Sequence, residues 1–313
     1  MAVNASVRLM ESGIGTLGLP YVGRYGLAHS LLAWARCELW CKDNGIPMLA
    51  PNWNHLRIGP YLRRESDKRE YHRLFEFPDY ITGARRAWLL LRLPRVSALD
   101  FADGRTLDKH QRQIVVFENR LAKNFEHHFG EIVGRGAEVK ASVLRMTKSK
   151  YIPEDAKTSH IALHVRLGDF ATAQAERELR EGGKSLRLPM QWYSHALREL
   201  RRALGRDVPA IIYSDGDDAA LADLLSMSSV RRAPRGAAPI TDLLSIGQAA
   251  ALIASGSGFG IWGSFLGGVP RLCFPGQRQI RVLGAPKAVD LEPEIDFDQS
   301  APSDFAECVS RRL

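Results

Sequence analysis

Short apolar segments alternate with helical patterns through the second half of this chain, and this alternation constrains the fold most strongly. Each segment is long enough for one strand, and each helical pattern has apolar residues three or four positions apart. The predicted strands are residues 161–166, 210–214, 251–254 and 271–274, and the predicted helices are 190–204, 218–227, 241–249 and 259–266. Strands that alternate with helices predict an α/β fold with a parallel sheet and right-handed crossovers.

The first of these strands ends in a group of charged and polar residues. Ile161, Leu163 and Val165 alternate with other residues at the period of a strand, so His164 and Arg166 point to the same side. Gly168 then allows a turn before Asp169. An arginine fork beside an imidazole suits a phosphate-bearing ligand, because the planar guanidinium matches phosphate oxygens. The alternative is a structural ion-pair network, which uses the same residue types.

Polar residues also follow the next strands. Ser214 and Asp215 end the second strand, and the turn from Ser255 through Ser257, Gly258 and Phe259 precedes a helix. Parallel sheets bind ligands at the carboxyl ends of their strands, and a helix start offers backbone N–H groups to a phosphate. A Gly/Ser turn by itself is usually only a turn, but three such groups at one predicted edge favour a ligand site.

The N-terminal half predicts a βαβ opening. Residues 6–10 are a predicted strand, residues 27–42 a helix and residues 46–50 a second strand. Between the first two, Gly13, Gly15 and Gly18 formally match G-x-G-x-x-G. A nicotinamide site is disfavoured, because the helix begins late and no carboxylate follows the second strand. Gly13 and Gly15 either contact a ligand or form a plain turn, and the sequence leaves both open.

A polar segment at residues 147–158 predicts a boundary between two domains, 1–150 and 151–313. Before it, residues 114–117 are a predicted strand and residues 118–129 a predicted helix. The basic clusters between residues 52 and 125 indicate a solvated face, with contact to a membrane surface as the alternative.

Composition limits the function. The chain has 313 residues, 43 basic and 35 acidic, so its net charge of +8 favours anionic partners. Basic residues are spread along the chain, which disfavours nucleic-acid binding. Apolar runs are too short to span a bilayer, and neither a signal peptide nor a zinc-type cysteine pattern is recognisable. We therefore expect a cytoplasmic protein, with the inner face of the membrane as the alternative.

Three motifs together resemble the GDP-fucose-dependent fucosyltransferase superfamily, which includes the bacterial α-1,2 enzymes, the α-1,6 enzymes and the protein O-fucosyltransferases. The H-x-R motif corresponds to His164-Val-Arg166, followed by Asp169. An S-D-D-like segment corresponds to Ser214 through Asp218. The last motif corresponds to Asp242 on a predicted helix, followed by the stretch from Ser257 to Ser264.

The resemblance implies the GT-B arrangement, in which two Rossmann-like domains face a cleft, with the acceptor on the side of domain 1–150 and the nucleotide sugar on domain 151–313. It implies an inverting, metal-independent transfer of fucose from GDP-fucose to a glycan hydroxyl, without a cofactor. Arg166 would hold the β-phosphate and Asp169 is a candidate catalytic residue. The implied donor-binding residues are His164, Arg166, Ser214, Asp215, Asp242, Ser257, Gly258 and Phe259, with Gly13 and Gly15 in the first domain.

Several alternatives remain open at this point. Asp242 serves either the nucleoside or a helix cap. Asp215 and Asp217 form a rival metal site. The base that deprotonates the acceptor is Asp169, Glu176 or a carboxylate of the first domain. The segment 171–184 is polar and rich in glycine, and we expect a flexible loop that closes over the acceptor. The competing functions are a nucleotide-sugar-binding protein without turnover and a transferase that uses another nucleotide sugar.

Overall fold

The computed structural model describes residues 15–23, 25–53, 71–102, 106–118, 125–154, 160–284 and 288–313. The chain divides into two compact units, Met1–Ile132 and Val133–Leu313. This division falls earlier than the boundary at residue 150 that the polar segment suggests. The reason is the helix Gly136–Met146, which packs within the second unit. A Cβ added to Gly136 would lie 2.3 Å from the carbonyl oxygen of Phe265, so the two backbones are in close contact there.

The N-terminal unit contains a three-stranded parallel sheet with the strand order β1-β3-β2. Its described helices and strands are β1 (Leu17–Tyr21), α1 (Leu27–Asn44), α2 (Gly83–Arg92), β2 (Arg95–Ser97), α3 (Leu99–Ala102), β3 (Ile114–Glu118) and α4 (Phe125–Gly130). The predicted strand at residues 46–50 is reduced to isolated bridges at Met48 and Leu49. The predicted helix at 118–129 is described only from Phe125, and the predicted strand at residues 6–10 lies outside the described residues.

Gly18 lies within strand β1 and not in a glycine-rich loop, as its spacing from Gly13 and Gly15 had suggested. A Cβ at Gly18 would lie 2.2 Å from the Sγ atom of Cys41 and 2.9 Å from that of Cys37. The glycine therefore allows helix α1 to approach the strand closely. Both cysteines are buried against it as free thiols, and they pack as small apolar groups.

The C-terminal unit contains a five-stranded, fully parallel sheet with the strand order β10-β9-β4-β7-β8. Its larger elements are α5 (Gly136–Met146), β4 (Ile161–Val165), α7 (Met190–Leu204), β7 (Ala210–Ser214), β8 (Val230–Arg232), α9 (Pro239–Ile246), β9 (Ala251–Ala254), α10 (Gly258–Gly267), β10 (Arg271–Cys273) and α11 (Ser303–Ser310). The shorter elements are β5 (Ala171–Thr172), α6 (Glu176–Arg180), β6 (Leu186–Arg187) and α8 (Ala222–Leu225).

Both faces of this sheet are covered, as the apolar strands predict. Ile161, Leu163 and Val165 of β4 face one core, which includes Trp192 of α7. Ala162 faces a second core together with residues of α9 and β9. Burial on both faces explains why these strands are apolar almost throughout. Among the described residues, no helix combines the length and the apolar character that crossing a bilayer requires.

The segment 171–184 has more structure than its polar sequence suggests. Strands β5 and β6 pair, and helix α6 lies between them. Arg180 of α6 forms an ion pair with Asp296, and the side-chain amide of Gln277 donates hydrogen bonds to the carbonyls of Leu179 and Gly183 at 2.6 and 3.1 Å. These contacts come from residues far along the chain, so the local composition could not reveal them.

Candidate functional site

The carboxyl ends of three neighbouring strands bring the predicted site residues of the C-terminal unit together. Strand β4 lies between β7 and β9 in the sheet. Val165 is opposite Ser214 of β7, and His164 is opposite Ala254 of β9. The polar turns after these three strands therefore lie at one edge of the sheet, where parallel α/β sheets bind ligands.

His164 is buried and is held on both sides. Its Nδ1 atom lies 2.8 Å from the Oγ atom of Ser255, and its ring stacks on Phe259 with 5.3 Å between the ring centroids. Burial, and to a smaller degree the positive charge of Arg166, lower the pKa of His164 to about 4. The imidazole is therefore neutral near pH 7, and it joins strand β4 to the Ser255–Ser257 turn.

Arg166 is fixed between two carboxylates at the end of β4. Its Nη2 atom lies 2.6 Å from Asp169 Oδ1, and its Nη1 atom lies 2.9 Å from Asp215 Oδ2. The side chain remains 31% exposed. A guanidinium has five N–H donors, and only some of them are used here. The arrangement pre-orients a cation that still has donors for an anionic ligand.

Asp215 is the anchor of this group. Its two carboxylate oxygens accept hydrogen bonds from the backbone N–H groups of Leu167 and Gly168, at 2.8 and 3.0 Å, in addition to the contact with Arg166. A Cβ at Gly168 would lie 2.3 Å from Asp215 Oδ2, so this position requires glycine for close approach. With its oxygens engaged in this way, Asp215 is better placed to position Arg166 than to contact a ribose or to bind a cation jointly with Asp217.

The turn after β7 uses its polar side chains locally. Ser214 Oγ accepts a hydrogen bond from the N–H of Gly216, and Asp217 accepts one from the N–H of Ala220. Arg232, at the end of β8, donates to the carbonyls of Ser214 and Gly216. The predicted donor-binding residue Ser214 thus shapes the turn that presents Asp215.

Ser257 is the N-cap of helix α10. Its Oγ accepts a hydrogen bond from the N–H of Phe259 at 3.3 Å, and Gly258 is the first helical residue. An N-cap of this kind stabilises a helix by about 1 kcal/mol. The free N–H groups of this first turn and the positive end of the helix dipole are available to an anion.

The loop after β10, which the sequence did not indicate, supports this turn. The side-chain amide of Gln279 donates to the carbonyl of Gly256 at 2.6 Å, and a Cβ at Gly256 would lie 2.3 Å from the side-chain oxygen of Gln277. Gln279 has a φ of 60°, which is uncommon for a residue other than glycine. The buried ion pair of Arg271 with Glu292 fixes the same loop, because Glu292 also accepts from the backbone N–H groups of Val282 and Leu283. Both glutamines follow β10 in the chain, and no local pattern marks them as supports of the turn.

Asp242 lies in the first turn of α9 and does not cap it. The N-cap residue is Ala238, and no side chain caps the helix there. Burial raises the pKa of Asp242 to about 6, although the positive charge of Arg232 opposes the shift. Its carboxylate forms no hydrogen bond or ion pair with any residue that the structure describes. A partly buried carboxyl group without a partner favours the nucleoside interpretation over the capping one.

Tyr193, in the first turn of α7, is a second group that the sequence did not indicate. Its hydroxyl is buried and has no hydrogen-bond partner within the described ranges. Burial raises the pKa of Tyr193; the nearby hydroxyl of Ser255, which does not meet hydrogen-bond geometry, opposes the shift, and the negative charge of Asp215 adds to it. The phenol is therefore neutral and lies close to the cluster around Asp215.

Gly15 belongs to the N-terminal unit, and Gly13 lies outside the described residues. A Cβ at Gly15 would lie 2.0 Å from the carbonyl oxygen of Lys109, and the N–H of Thr16 donates to the same oxygen at 2.8 Å. Close packing of two backbone segments thus accounts for this glycine without a ligand. Its role in donor binding stays a prediction.

In the part of the chain that is described, one group of three side chains has the spacing of metal ligands. It consists of His127, His128 and Glu131, whose ligand atoms lie within 4.8 Å of one another. Arg36 forms an ion pair with Glu131 at 2.7 Å. Because this guanidinium already neutralises the carboxylate, the group is a poor cation site.

No protein-family model and no curated protein matches the chain. Similar solved structures include the fucosyltransferase NodZ from Bradyrhizobium, at 14% identity over 84% of this chain and 95% of that one, with a TM-score of 0.46. A mutant of Arabidopsis thaliana FUT1 in complex with GDP is similar at 11% identity over 87% of this chain and 74% of that one (TM-score 0.47). POFUT1 in complex with GDP is similar at 12% identity over 83% of this chain and 98% of that one (TM-score 0.40).

Proposed function

We propose that this protein is a glycosyltransferase that moves fucose from GDP-fucose to a hydroxyl group of a glycan acceptor, with inversion and without a metal ion. The observation that carries the proposal is the position of Arg166. The guanidinium is held by Asp215 and Asp169 at the carboxyl end of β4, the central strand of the sheet. The neighbouring strand β9 leads into the first turn of α10. A cation and free backbone N–H groups at one edge suit the pyrophosphate of a nucleotide sugar.

The reaction requires one displacement at the anomeric carbon. The acceptor oxygen forms a bond to that carbon while the bond from the carbon to the phosphate oxygen breaks. The departing GDP gains negative charge, and Arg166 and the N–H groups of the first turn of α10 stabilise it there. The hydroxyl proton passes to a carboxylate, for which Asp169 is our first candidate and Glu176 the second. Asp169 has an exposed side chain, so an acceptor can reach its carboxylate.

We assign the nucleoside to the same carboxyl end of the sheet, on the face of the second core, which contains Ala162 and Tyr213. Tyr213 of β7 and Phe259 of α10 border the second core there, and Asp242 is close to Tyr213. Guanine offers neighbouring N–H donors on its Watson–Crick edge, and an ionised carboxylate accepts from such donors. Asp242 is therefore our candidate for contact with the base, and His164 supports the ring of Phe259.

This assignment predicts a pH dependence for GDP binding. The pKa of Asp242 in the folded protein is about 6, above the usual 3.8 of an aspartate side chain, so the carboxyl is ionised at pH 8 and mostly protonated at pH 5. Because guanine donors require the ionised form, we expect the GDP affinity to fall as the pH drops below about 6. Asp242→Asn should weaken GDP binding and remove this dependence, as calorimetric titrations at pH 5, 6, 7 and 8 would measure.

The same shift predicts an opposite effect on stability. A carboxyl whose pKa is raised on folding favours the folded state while it is protonated, and this contribution is lost as the pH rises from 3.8 towards 6. Asp242→Asn should therefore unfold at a higher denaturant concentration than the wild type at pH 8, and less so at pH 4. For the binding prediction, an equal pH profile of GDP affinity in the wild type and in Asp242→Asn would show that Asp242 does not contact the base.

The test of the proposed function is a titration combined with a turnover assay. We expect GDP and GDP-fucose to bind more tightly than UDP-sugars, with equal affinity in Mg²⁺ and in EDTA. We also expect GDP to be released from GDP-fucose when a glycan acceptor is added. Binding of GDP-fucose without release of GDP, whichever acceptor is added, would favour the nucleotide-sugar-binding alternative. Tighter binding of GDP-mannose than of GDP-fucose would favour a transferase for another sugar. Absence of binding to all of these nucleotides would reject the proposal.

A further inference from the structure

A cleft lies in the C-terminal unit, beside the group formed by Arg166, Asp169 and Asp215. Its volume is about 750 Å³. It is bounded by the segment after β4, by helix α6, by the first residue of α7 and by the turn after β7. Its apolar residues, such as Leu179, Leu188 and Met190, belong to the core that faces α7 or pack against it. The proposed nucleoside site lies beside the second core, which contains Ala162 and Tyr213.

The size and lining of this cleft suit a small ligand with both apolar and polar surface. Leu179 and Leu188 form a buried apolar floor, and Pro189 and Ala220 stand at its sides. Small-molecule sites combine such apolar walls with a few fixed polar groups. A sugar ring has the matching surfaces, because its C–H face is apolar and its hydroxyl groups project around the edge.

The charges of the cleft nearly balance, which favours an uncharged ligand over a diphosphate. Three carboxylates border it, those of Glu176, Asp215 and Asp217, against the single guanidinium of Arg187. Arg180 forms an ion pair with Glu176, and Arg166 forms one with Asp215. These two carboxylates are thus neutralised, and Asp217 is balanced by Arg187, so the lining offers no net positive charge to a phosphate. Its carboxylate oxygens remain good acceptors for hydroxyl groups.

The cleft shares two residues with the group that holds Arg166. Asp215 and Gly168 line the cleft and also fix the guanidinium. If a pyrophosphate binds to Arg166, the sugar attached to it or the hydroxyl that attacks it must lie within one sugar ring of this point. Because Gly168 and Asp215 themselves line the cleft, it begins beside Arg166, so its position adds to the chemistry of its lining.

We propose that this cleft binds a pyranose ring, with Ala220 and Met190 against its apolar face and Asp217 and Arg187 as partners of its hydroxyl groups. The proposal rests on the proposed function for the source of the sugar, which is either the donor or the acceptor. The chemistry of recognition is the same for both sources, and the experiment separates them.

The experiment fills the cleft without changing charge. Ala220→Trp places an indole in the cleft, and Ala219→Trp is the matched control, since Ala219 is exposed in the same turn but does not border the cleft. We would measure the affinities of GDP and GDP-fucose by calorimetry, the acceptor KM with lactose and N-acetyllactosamine, and the saturation-transfer NMR signal of free L-fucose and of lactose. Relative to Ala219→Trp, we expect Ala220→Trp to keep GDP affinity within about twofold.

If the cleft binds the fucose of the donor, the affinity of Ala220→Trp for GDP-fucose should fall by about tenfold, to the level of its affinity for GDP. If the cleft instead binds a sugar of the acceptor, Ala220→Trp should raise the acceptor KM by about tenfold and leave the affinity for GDP-fucose unchanged. The proposal is overturned if both quantities match those of Ala219→Trp, or if GDP affinity falls as much as GDP-fucose affinity, since the cleft would then hold the nucleotide.

The NMR measurement separates this proposal from the proposed function. If the wild type binds no nucleotide, the function fails, but the cleft proposal still predicts a signal from a free sugar that Ala220→Trp removes and Ala219→Trp keeps. Without a sugar signal in the wild type in that case, the cleft proposal fails as well.

Discussion

Arg166→Ala will lower kcat for transfer from GDP-fucose by about 10²–10³-fold, because it removes the main cation that meets the charge of departing GDP. Loss of one preorganised donor from a site of this kind has an effect of that size. The fold should be unaffected, since the side chain is partly exposed and its ion pairs are accessible to solvent. Single-turnover kinetics measure the rate, and urea unfolding measures the stability.

Arg166→Lys should restore little of this activity. The lysine ammonium carries its charge and donors on a single nitrogen. It therefore cannot contact Asp215, Asp169 and a phosphate in the geometry of the planar guanidinium. Arg177→Ala is the matched control, because Arg177 forms an exposed ion pair with Glu181 on α6. Wild-type turnover in Arg166→Ala would show that the site is not where we propose it.

Gly168→Ala is expected to have the second largest effect, through position and not through chemistry. The new Cβ would lie 2.3 Å from Asp215 Oδ2, so the carboxylate or the turn must shift. Either shift moves the anchor of Arg166. A displacement of about 1 Å in a catalytic group reduces a rate by about 10²-fold, so we expect a lower kcat with nearly normal unfolding. The readout is kcat with GDP-fucose together with the urea midpoint.

The matched control for this change is Gly130→Ala, because a Cβ at Gly130 meets no atom within 4 Å and its φ is not positive. We expect this variant to turn over as the wild type does. Should Gly168→Ala also keep the wild-type kcat, Asp215 would not be the residue that positions Arg166.

The strands and long helices of the C-terminal unit could be predicted because their patterns are strong. The prediction for α7 agrees with the observed Met190–Leu204 at both ends, since its apolar period is regular and Gly205 ends it in the left-handed conformation. The predicted helix at 218–227 is shortened to Ala222–Leu225. Asp217 and Asp218 account for this difference, because their side chains bond to the N–H of Ala220 and to Arg232 and so stabilise a turn.

The residues that support the site could not be predicted in the same way. Gln277 and Gln279 look like ordinary loop residues, and Tyr193 looks like any aromatic residue on the buried face of a helix. Their roles depend on contacts with the Ser255–Ser257 turn and with the Asp215 cluster, which are distant in sequence. Local patterns contain no information about such pairs.

The sequence by itself determined which polar residues follow each strand, because period, glycine and charge are local properties. Only the tertiary structure decided that β4 lies between β7 and β9. The order of strands depends on how the crossover helices pack on the two faces, and that packing is a property of the whole core. This order places Asp215 on one side of Arg166 and joins His164 to Ser255 on the other.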